Sequence, residues 1–535
     1  MIKRIVLLIT AIIGLSLGLA WVSSGFGSLQ GWIGFFGVGL LGVGILLGGW
    51  FLLKSDYQRG QSSLSPSHTQ LPSWLFWLLM GAALLRLGVG IFWSLALPQW
   101  GYGGEVELAG YVMTDAFERD VAAWDLARSD LPLSAAFSEF SGDDQYGGLL
   151  FGSALVYRAL GGATHQPLMM VVLAAAFSAL AVIFTWGFAR QVWDAPVAAI
   201  AAWVVALFPD AILLGSTQMR EAFMMTLVVL AFYGLVQALR ERSRWGLAWI
   251  LAALLLSFPL SLLFAVMLAG MLAVFALFLT TGSWKKHWRV WLVLAALVAL
   301  ALVVIWLFGD QLLPTGSANP VKLLQRWLRQ AARWQAYNTE HASGWMQKVF
   351  RTTPQGFHPW ILLGYGVVRP FLPAALFDSA APLWQGIAIW RSLGWVLLLP
   401  FLIIAPLLAW RRDGLRSPVM GLSILVWAVI LVASFRGGGD NWDNPRYRAS
   451  WIGLQAALAA WVWVTQRRDD SPWLRRALVA MGLILIWWIP WYLRRITILV
   501  WPVQDVFATL GLGLVSVLLY LAVEVWHERR QTADD

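Results

Sequence analysis

Residues 111–130 read YVMTDAFERDVAAWDLARSD. Charges fall at Asp115, Glu118, Arg119, Asp120, Asp125, Arg128 and Asp130, making this the most acidic part of an otherwise apolar chain. Outward from it, on both sides, the sequence turns into long apolar runs. A charge kept beside lipid is costly, so a carboxylate cluster next to a membrane span marks a functional candidate. The contrast points to an all-α polytopic membrane protein that gathers its chemistry in a loop.

Composition agrees. The 535 residues are 59% hydrophobic and 12% charged, and 36 are Trp. Soluble domains carry about 25% charged residues. Trp favours membrane interfaces, and many here flank the apolar runs. The net charge of +10 reflects basic cytoplasmic loops and implies membrane lipids as partners, not nucleic acid. With no cysteine, disulfides, thiolate metal sites and cysteine nucleophiles are excluded. The sequence holds no GxxxxGK[ST] or HExxH motif, so ATP-driven transport and zinc proteolysis lose support.

Spans need about 20 apolar residues. Runs at 5–22, 31–53 and 73–97 precede the acidic stretch. Others follow at 167–188, 196–214, 222–239, 245–258, 260–281, 290–309, 388–410, 418–434, 450–465, 477–493 and 506–526. Counted by span length, that predicts a bundle of about 14 transmembrane helices. The first run reads as a retained span rather than a signal peptide, despite Gly18-Leu19-Ala20, because the second follows at once. Four parts emerge. Residues 1–72 hold two N-terminal spans and a cytoplasmic linker, and 73–310 a transmembrane core with a first outer loop at 98–166. Residues 311–383 form a second outer loop, and 384–535 a C-terminal bundle.

Lys and Arg crowd the loops at 54–59, 240–244, 285–289, 411–416, 467–476 and 529–530. The alternate short loops carry only Arg220, Arg436, Arg446, Arg448, Arg494 and Arg495. The positive-inside rule then makes both termini cytoplasmic. This works only if residues 146–160 lie on, or dip into, the outer surface without crossing. Both long loops, Gly215–Arg220 and Arg436–Arg448 then meet on the outer face.

Several residues there can carry chemistry. Asp115 and Arg119 are four apart and share a helix face with Glu118 close by. Asp115-x-x-Glu118 also reads as a capping box, and Ser141-Gly142-Asp143-Asp144 as a turn. Glu221 is either a first-turn carboxylate partnered by Arg220 or a second acid facing the same outer space, as is Asp210. Arg446 and Arg448 flank Tyr447 at a span end, where they would either snorkel or clamp a phosphate. Residues 320–336, PVKLLQRWLRQAARWQA, have the spacing of a basic interfacial helix. Arg369, Arg391, His341 and His358 are accessory candidates.

With these residues in place, the chain resembles the GT-C glycosyltransferases. The likeness is to family 39 and related bacterial transferases, which include protein O-mannosyltransferases and the lipid A aminoarabinose transferase. It rests on order and spacing over 75–310 and, more loosely, 360–466. First comes a span and an outer-loop acid, Asp115. Then follow Asp144-Gln145-Tyr146-Gly147 to Arg158-Ala159-Leu160-Gly161, Phe188-Ala189-Arg190, Phe208-Pro209, Gln218-Met219-Arg220-Glu221 and Pro445-Arg446-Tyr447-Arg448. Two features depart from the family. Gln145-Tyr146-Gly147 stands where Lys-Pro-Pro or Tyr-Pro is usual, and two spans precede residue 73.

The resemblance implies a GT-C-like bundle with juxtamembrane helices in the outer loops and a sugar donor carried on polyprenyl phosphate. It makes Asp115 the catalytic acid and Glu221 a second one, a position that in some relatives helps hold a metal. Asp115 and Glu221 are thus candidate ligands of a divalent metal ion. Asp120 is the next candidate base. Arg446, Arg448 and Arg369 are candidates for the donor phosphate, and Glu118, Arg119, Asp143, Asp144, Arg220 and His358 accessory or acceptor-side residues. The acceptor is a lipid, glycan or protein, and the setting the plasma (inner) membrane of a prokaryote. Two other readings remain: a lipid-linked polysaccharide polymerase or ligase, and a transporter or lipid flippase. The second predicts ionisable residues through the middle of several spans, where Arg86 is the clearest. No internal repeat supports it.

Overall fold

The computed structural model describes residues 2–24, 29–60, 71–140, 144, 146–240, 243–280, 344–377, 379–436, 445–469, 471–497 and 499–534, with isolated positions between 288 and 340. The described residues form helices and no strands, as a chain in lipid requires when each backbone group must be satisfied within its own segment.

The chain opens with α1 (Ile2–Ser24), α2 (Leu29–Gly60) and α3 (Ser73–Trp100). The polar segment at 98–166 folds into α4 (Glu105–Leu108), α5 (Thr114–Arg128), a 3-10 turn at Leu133–Phe137, and α6 (Gly148–Leu160). The core follows as α7 (Leu168–Val192), α8 (Ala195–Leu207), α9 (Pro209–Gly215), α10 (Arg220–Arg240), α11 (Arg244–Leu260) and α12 (Leu262–Leu279). Further on lie α13 (Gly344–Thr352), α14 (His358–Val368), α15 (Leu372–Phe377), α16 (Pro382–Arg412) and α17 (Pro418–Arg436). The chain closes with α18 (Arg446–Ala449), α19 (Ile452–Arg468), α20 (Trp473–Ile496) and α21 (Val506–Asp534).

Among the described residues, nine helices are long and apolar enough to cross a membrane, and the bent pair α8–α9 makes a tenth. Three of the other expected spans are shorter there. The described apolar part of α1 is Ile9–Ser23, α11 is a short apolar helix, and α19 has 17 residues. The run at 290–309 is described only at scattered positions, and the basic helix at 320–336 only at Arg333; His341, Asp143 and residues 437–444 lie outside the described residues.

Small side chains let the centre pack tightly. The α8 face made by Ala198, Ala201, Ala202 and Val205 is fully buried, and α19, which packs on α8, buries Ala456, Ala457 and Ala460. In lipid, such close approach substitutes for the missing hydrophobic drive between helices. At the α10–α11 crossing, a Cβ on Gly234 would stand 2.7 Å from the Gly246 carbonyl oxygen. Only glycine allows backbones that near each other.

The expected span 196–214 is not one straight helix. It bends by 54° between Leu207 and Pro209. Pro209 disfavours helical backbone at the residue before it, and Phe208 is extended. The bend carries Asp210 into the protein interior, 2% exposed. α6 has 13 residues, fewer than a span needs, and it packs on α5. The N-terminal helices join the bundle. α2 lies on α7, and buried Asp56 accepts hydrogen bonds from Tyr233 (2.7 Å), Gln237 (2.5 Å) and Trp249 (3.1 Å).

Candidate active site

The acidic stretch is aimed by the turn before it. Gly110 has φ 80°, a left-handed conformation that glycine adopts without penalty. It presses the chain onto α3, where an added Cβ would be 2.8 Å from Ser94 Cα. Tyr111, Val112 and Met113 then bury themselves, and α5 begins. Its N-cap is Met113, with no side-chain cap bond. Asp115 therefore sits inside the first turn, and the capping-box reading of Asp115 and Glu118 does not hold.

Asp115 lines a cavity of about 700 Å³, within the range of ligand sites. The wall combines the segment at 98–166 with the C-terminal half: Glu105, Glu107 and Tyr111 from the one, and Arg369, Trp384, Arg391 and Arg446 from the other. Arg446 Nη2 donates to Asp115 Oδ2 at 2.6 Å, across 331 residues of sequence. Its Nε lies 3.8 Å from Glu221 Oε1 at the start of α10. Arg391 donates from Nε to buried Asp210, and Arg369 donates to the Tyr365 hydroxyl at 3.2 Å. Partial burial pushes the Asp115 carboxyl up. Arg446, and then Arg119 and Arg220, outweigh this and hold it below the ordinary aspartate value of 3.8.

The other candidates separate into two neighbouring clusters. Asp120 is 1% exposed and accepts from the Tyr111 hydroxyl (2.5 Å) and the Tyr157 hydroxyl (2.6 Å), with His165 Nε2 at 2.8 Å. His165 stacks on Trp124. Burial, and then the Asp120 charge, push both phenols well above their usual value, so they stay protonated and donating. Asp144 lies 3.3 Å from Arg119 Nε and 3.8 Å from Arg220 Nε, and accepts from Leu150 N at the start of α6. That cluster ties α6 to α5 and α10.

Arg448 parts from Arg446. It is 3% exposed, donates to the Gly366 and Arg369 carbonyls, and lies over the Trp395 ring. It shapes the chain around Arg369 and is absent from the cavity wall. His358 Nε2 lies 2.9 Å from the Phe350 carbonyl oxygen, also away from the wall. Glu118 does not line the cavity either.

The pair of acids suggested for a metal ion does not fit one in this arrangement. The Arg446 guanidinium already lies between Asp115 and Glu221. Among the described residues, no group of three or more His, Cys, Asp or Glu side chains could hold a metal ion. No chemical step is assigned to one here.

Sequence reasoning missed Glu107, Trp384 and the tyrosine and histidine partners of Asp120. Tyr111 lies nine residues before Asp120, but the others meet their partners from further along the chain: Trp384 Nε1 reaches Glu107 Oε1 at 2.6 Å over 277 residues. No local spacing signals such a pair.

No family model matches the chain, and no curated protein sequence does. Several solved structures are similar in fold. One is the archaeal oligosaccharyltransferase AglB from Archaeoglobus fulgidus in complex with an inhibitory peptide and a dolichol-phosphate. It matches at TM-score 0.42 and 14% identity, over 83% of this chain and 54% of that one. The Archaeoglobus fulgidus oligosaccharyltransferase in complex with Zn and sulfate matches at TM-score 0.41 and 15% identity, over 75% of this chain and 50% of that one. This chain thus spans about half the length of the structures it matches.

Proposed function

We propose that this protein is a membrane glycosyltransferase that moves a sugar from a polyprenyl-phosphate donor to an acceptor on the outer face. The observation that carries the reading is the cavity wall, where a carboxylate, Asp115, and three arginines, Arg369, Arg391 and Arg446, meet at the end of a transmembrane bundle. A lipid-phosphate leaving group needs cations, and the incoming nucleophile needs a base. Both lie within one space.

Asp115 takes the proton from an acceptor hydroxyl or amine as that atom attacks the anomeric carbon. The bond from that carbon to the phosphate oxygen breaks, and the lipid phosphate leaves with the electron pair. Arg446 and Arg369 meet its charge with charge-assisted hydrogen bonds. One displacement inverts the anomeric carbon. Arg446 has two roles in this scheme. Before the donor arrives it holds Asp115 ionised but weakly basic. Donor phosphate then competes for the guanidinium, and Asp115 becomes a stronger base when substrate is present.

The test uses purified protein in lipid nanodiscs with a panel of undecaprenyl-phosphate sugars. Release of undecaprenyl phosphate together with a glycosylated acceptor is the expected result. If undecaprenyl phosphate does not bind at all, the donor assignment is wrong.

A further inference from the structure

Glu107 is 9% exposed and lines the cavity. Its Oε1 accepts the Trp384 indole N–H. Its Oε2 is buried and meets no hydrogen-bond donor among the described residues. A buried carboxylate oxygen left without a donor is costly, and in a cavity wall it calls for a ligand that supplies one. The carboxylate is also held close to backbone. A Cβ on Gly101 would stand 2.7 Å from Oε2, so the glycine makes room for it.

The surroundings suit a sugar. Tyr102, Tyr111, Phe371 and Trp384 contribute aromatic surface to the same wall, and aromatic faces pair with the C–H faces of sugar rings. Glu105 adds a second carboxylate. Along α16, Trp384 and Arg391 face the same cavity seven residues apart, about 10 Å along the axis. The cavity is therefore polarised, with carboxylates at the level of the α16 N-terminus and a guanidinium two turns further in. A lipid-linked donor is polarised in the same sense, since its phosphate sits at head-group depth and its sugar projects outward.

We infer that Glu107, held by Trp384, is a specificity-determining residue that accepts a hydroxyl or amine of the donor sugar and selects against sugars bearing their own acidic group. This rests on the donor reading above. A uronic acid would bring a third carboxylate against Glu107 and Glu105, and the like charges would repel. A hydroxyl or amine donates to it.

The experiment compares binding of undecaprenyl phosphate, undecaprenyl phosphoglucose and undecaprenyl phosphoglucuronate to the full chain in nanodiscs. We expect the glucose donor to bind about tenfold to a hundredfold tighter than the glucuronate donor, the range for one charged hydrogen bond kept or lost. Glu107→Gln should bring that ratio close to one and leave bare undecaprenyl phosphate unchanged. Equal binding of the two sugars by the unaltered protein overturns the inference without any variant, so a folding defect in Glu107→Gln leaves the test intact. A ratio unmoved in a folded Glu107→Gln overturns it too. Failure of bare undecaprenyl phosphate to bind the unaltered protein would instead remove the donor reading beneath it.

Discussion

Asp115 and Arg446 carry the residue-scale argument. The Asp115 side chain is 45% exposed, so Asp115→Asn should fold normally while losing the proton acceptor. We expect transfer to fall about 10²–10⁴-fold, the usual share of a general base, with unchanged thermal stability. Near-normal turnover would reduce Asp115 to a partner of Arg446. The pH dependence follows from the depressed carboxyl. Its charged form, with any stability it adds, is complete above the ordinary value of 3.8 and is lost as pH falls through the lower folded value. The acid limb of the rate profile for the free enzyme should thus lie below pH 3.8. In Arg446→Gln it should move upward, because the first of the opposing cations is gone. An unmoved limb would show that Arg446 does not set the base. Arg448→Gln should behave differently. It leaves two backbone carbonyls without their donor, at about 1–3 kcal/mol each. The expected loss is in thermal stability, with the affinity of the folded fraction for undecaprenyl phosphate retained. A selective loss of affinity would return Arg448 to the phosphate site.

Elements are positioned by a few backbone approaches and buried polar ties. At the α10–α11 crossing, a Cβ on Gly246 would meet the Gly234 carbonyl oxygen at 2.5 Å and Ala238 Cα at 2.8 Å. Backbone cannot give way as a flexible side chain can. Gly246→Ala should force the helices apart, with a clear drop in melting temperature and in cavity-dependent binding. A variant as stable as the parent would mean the crossing is looser than this geometry. Asp56 is a second tie. Asp56→Ala strips two buried donors on α10 and half-buried Trp249 on α11 of their acceptor, for a loss of roughly 1–3 kcal/mol per buried unsatisfied group. Protein that remains folded should still bind undecaprenyl phosphate, because this cluster is remote from the cavity wall. Loss of binding in well-folded protein would show that α2 acts on the site.

At the scale of the whole molecule, interactions sort by end. Arg446 joins Asp115 at one end. At the other, Arg412 meets Asp469 and Arg468 meets Asp194, each pair linking loops expected to face the same side. Reporter fusions at Arg242, Lys286 and Arg412 should read cytoplasmic, and those at Asp125 and Asn441 outside. A cytoplasmic reading at Asp125 would exclude the outer-face mechanism. The dominant local signals were legible without coordinates: apolar length, basic loops, and the acidic stretch between α3 and α7. The short α6 was legible too, because a spanning α6 would have inverted every later loop against its charge.

By itself, the sequence determined that this chain is helical, lies in a membrane, and places ten of its 28 carboxylates between residues 98 and 146. Those properties depend on runs of neighbouring residues, and hydropathy and charge act over the length of a single helix. Only the tertiary structure decided which acid faces the cavity. Asp115 and Asp120 are five residues apart on one helix, yet one pairs with Arg446 at the cavity and the other is enclosed by Tyr111, Tyr157 and His165. It also separated Arg446 from Arg448 and brought Trp384 to Glu107. The physical reason is that these partners come from helices hundreds of residues apart. Burial and pairing of a charge are set by which helix faces meet, and that is a property of the assembled bundle.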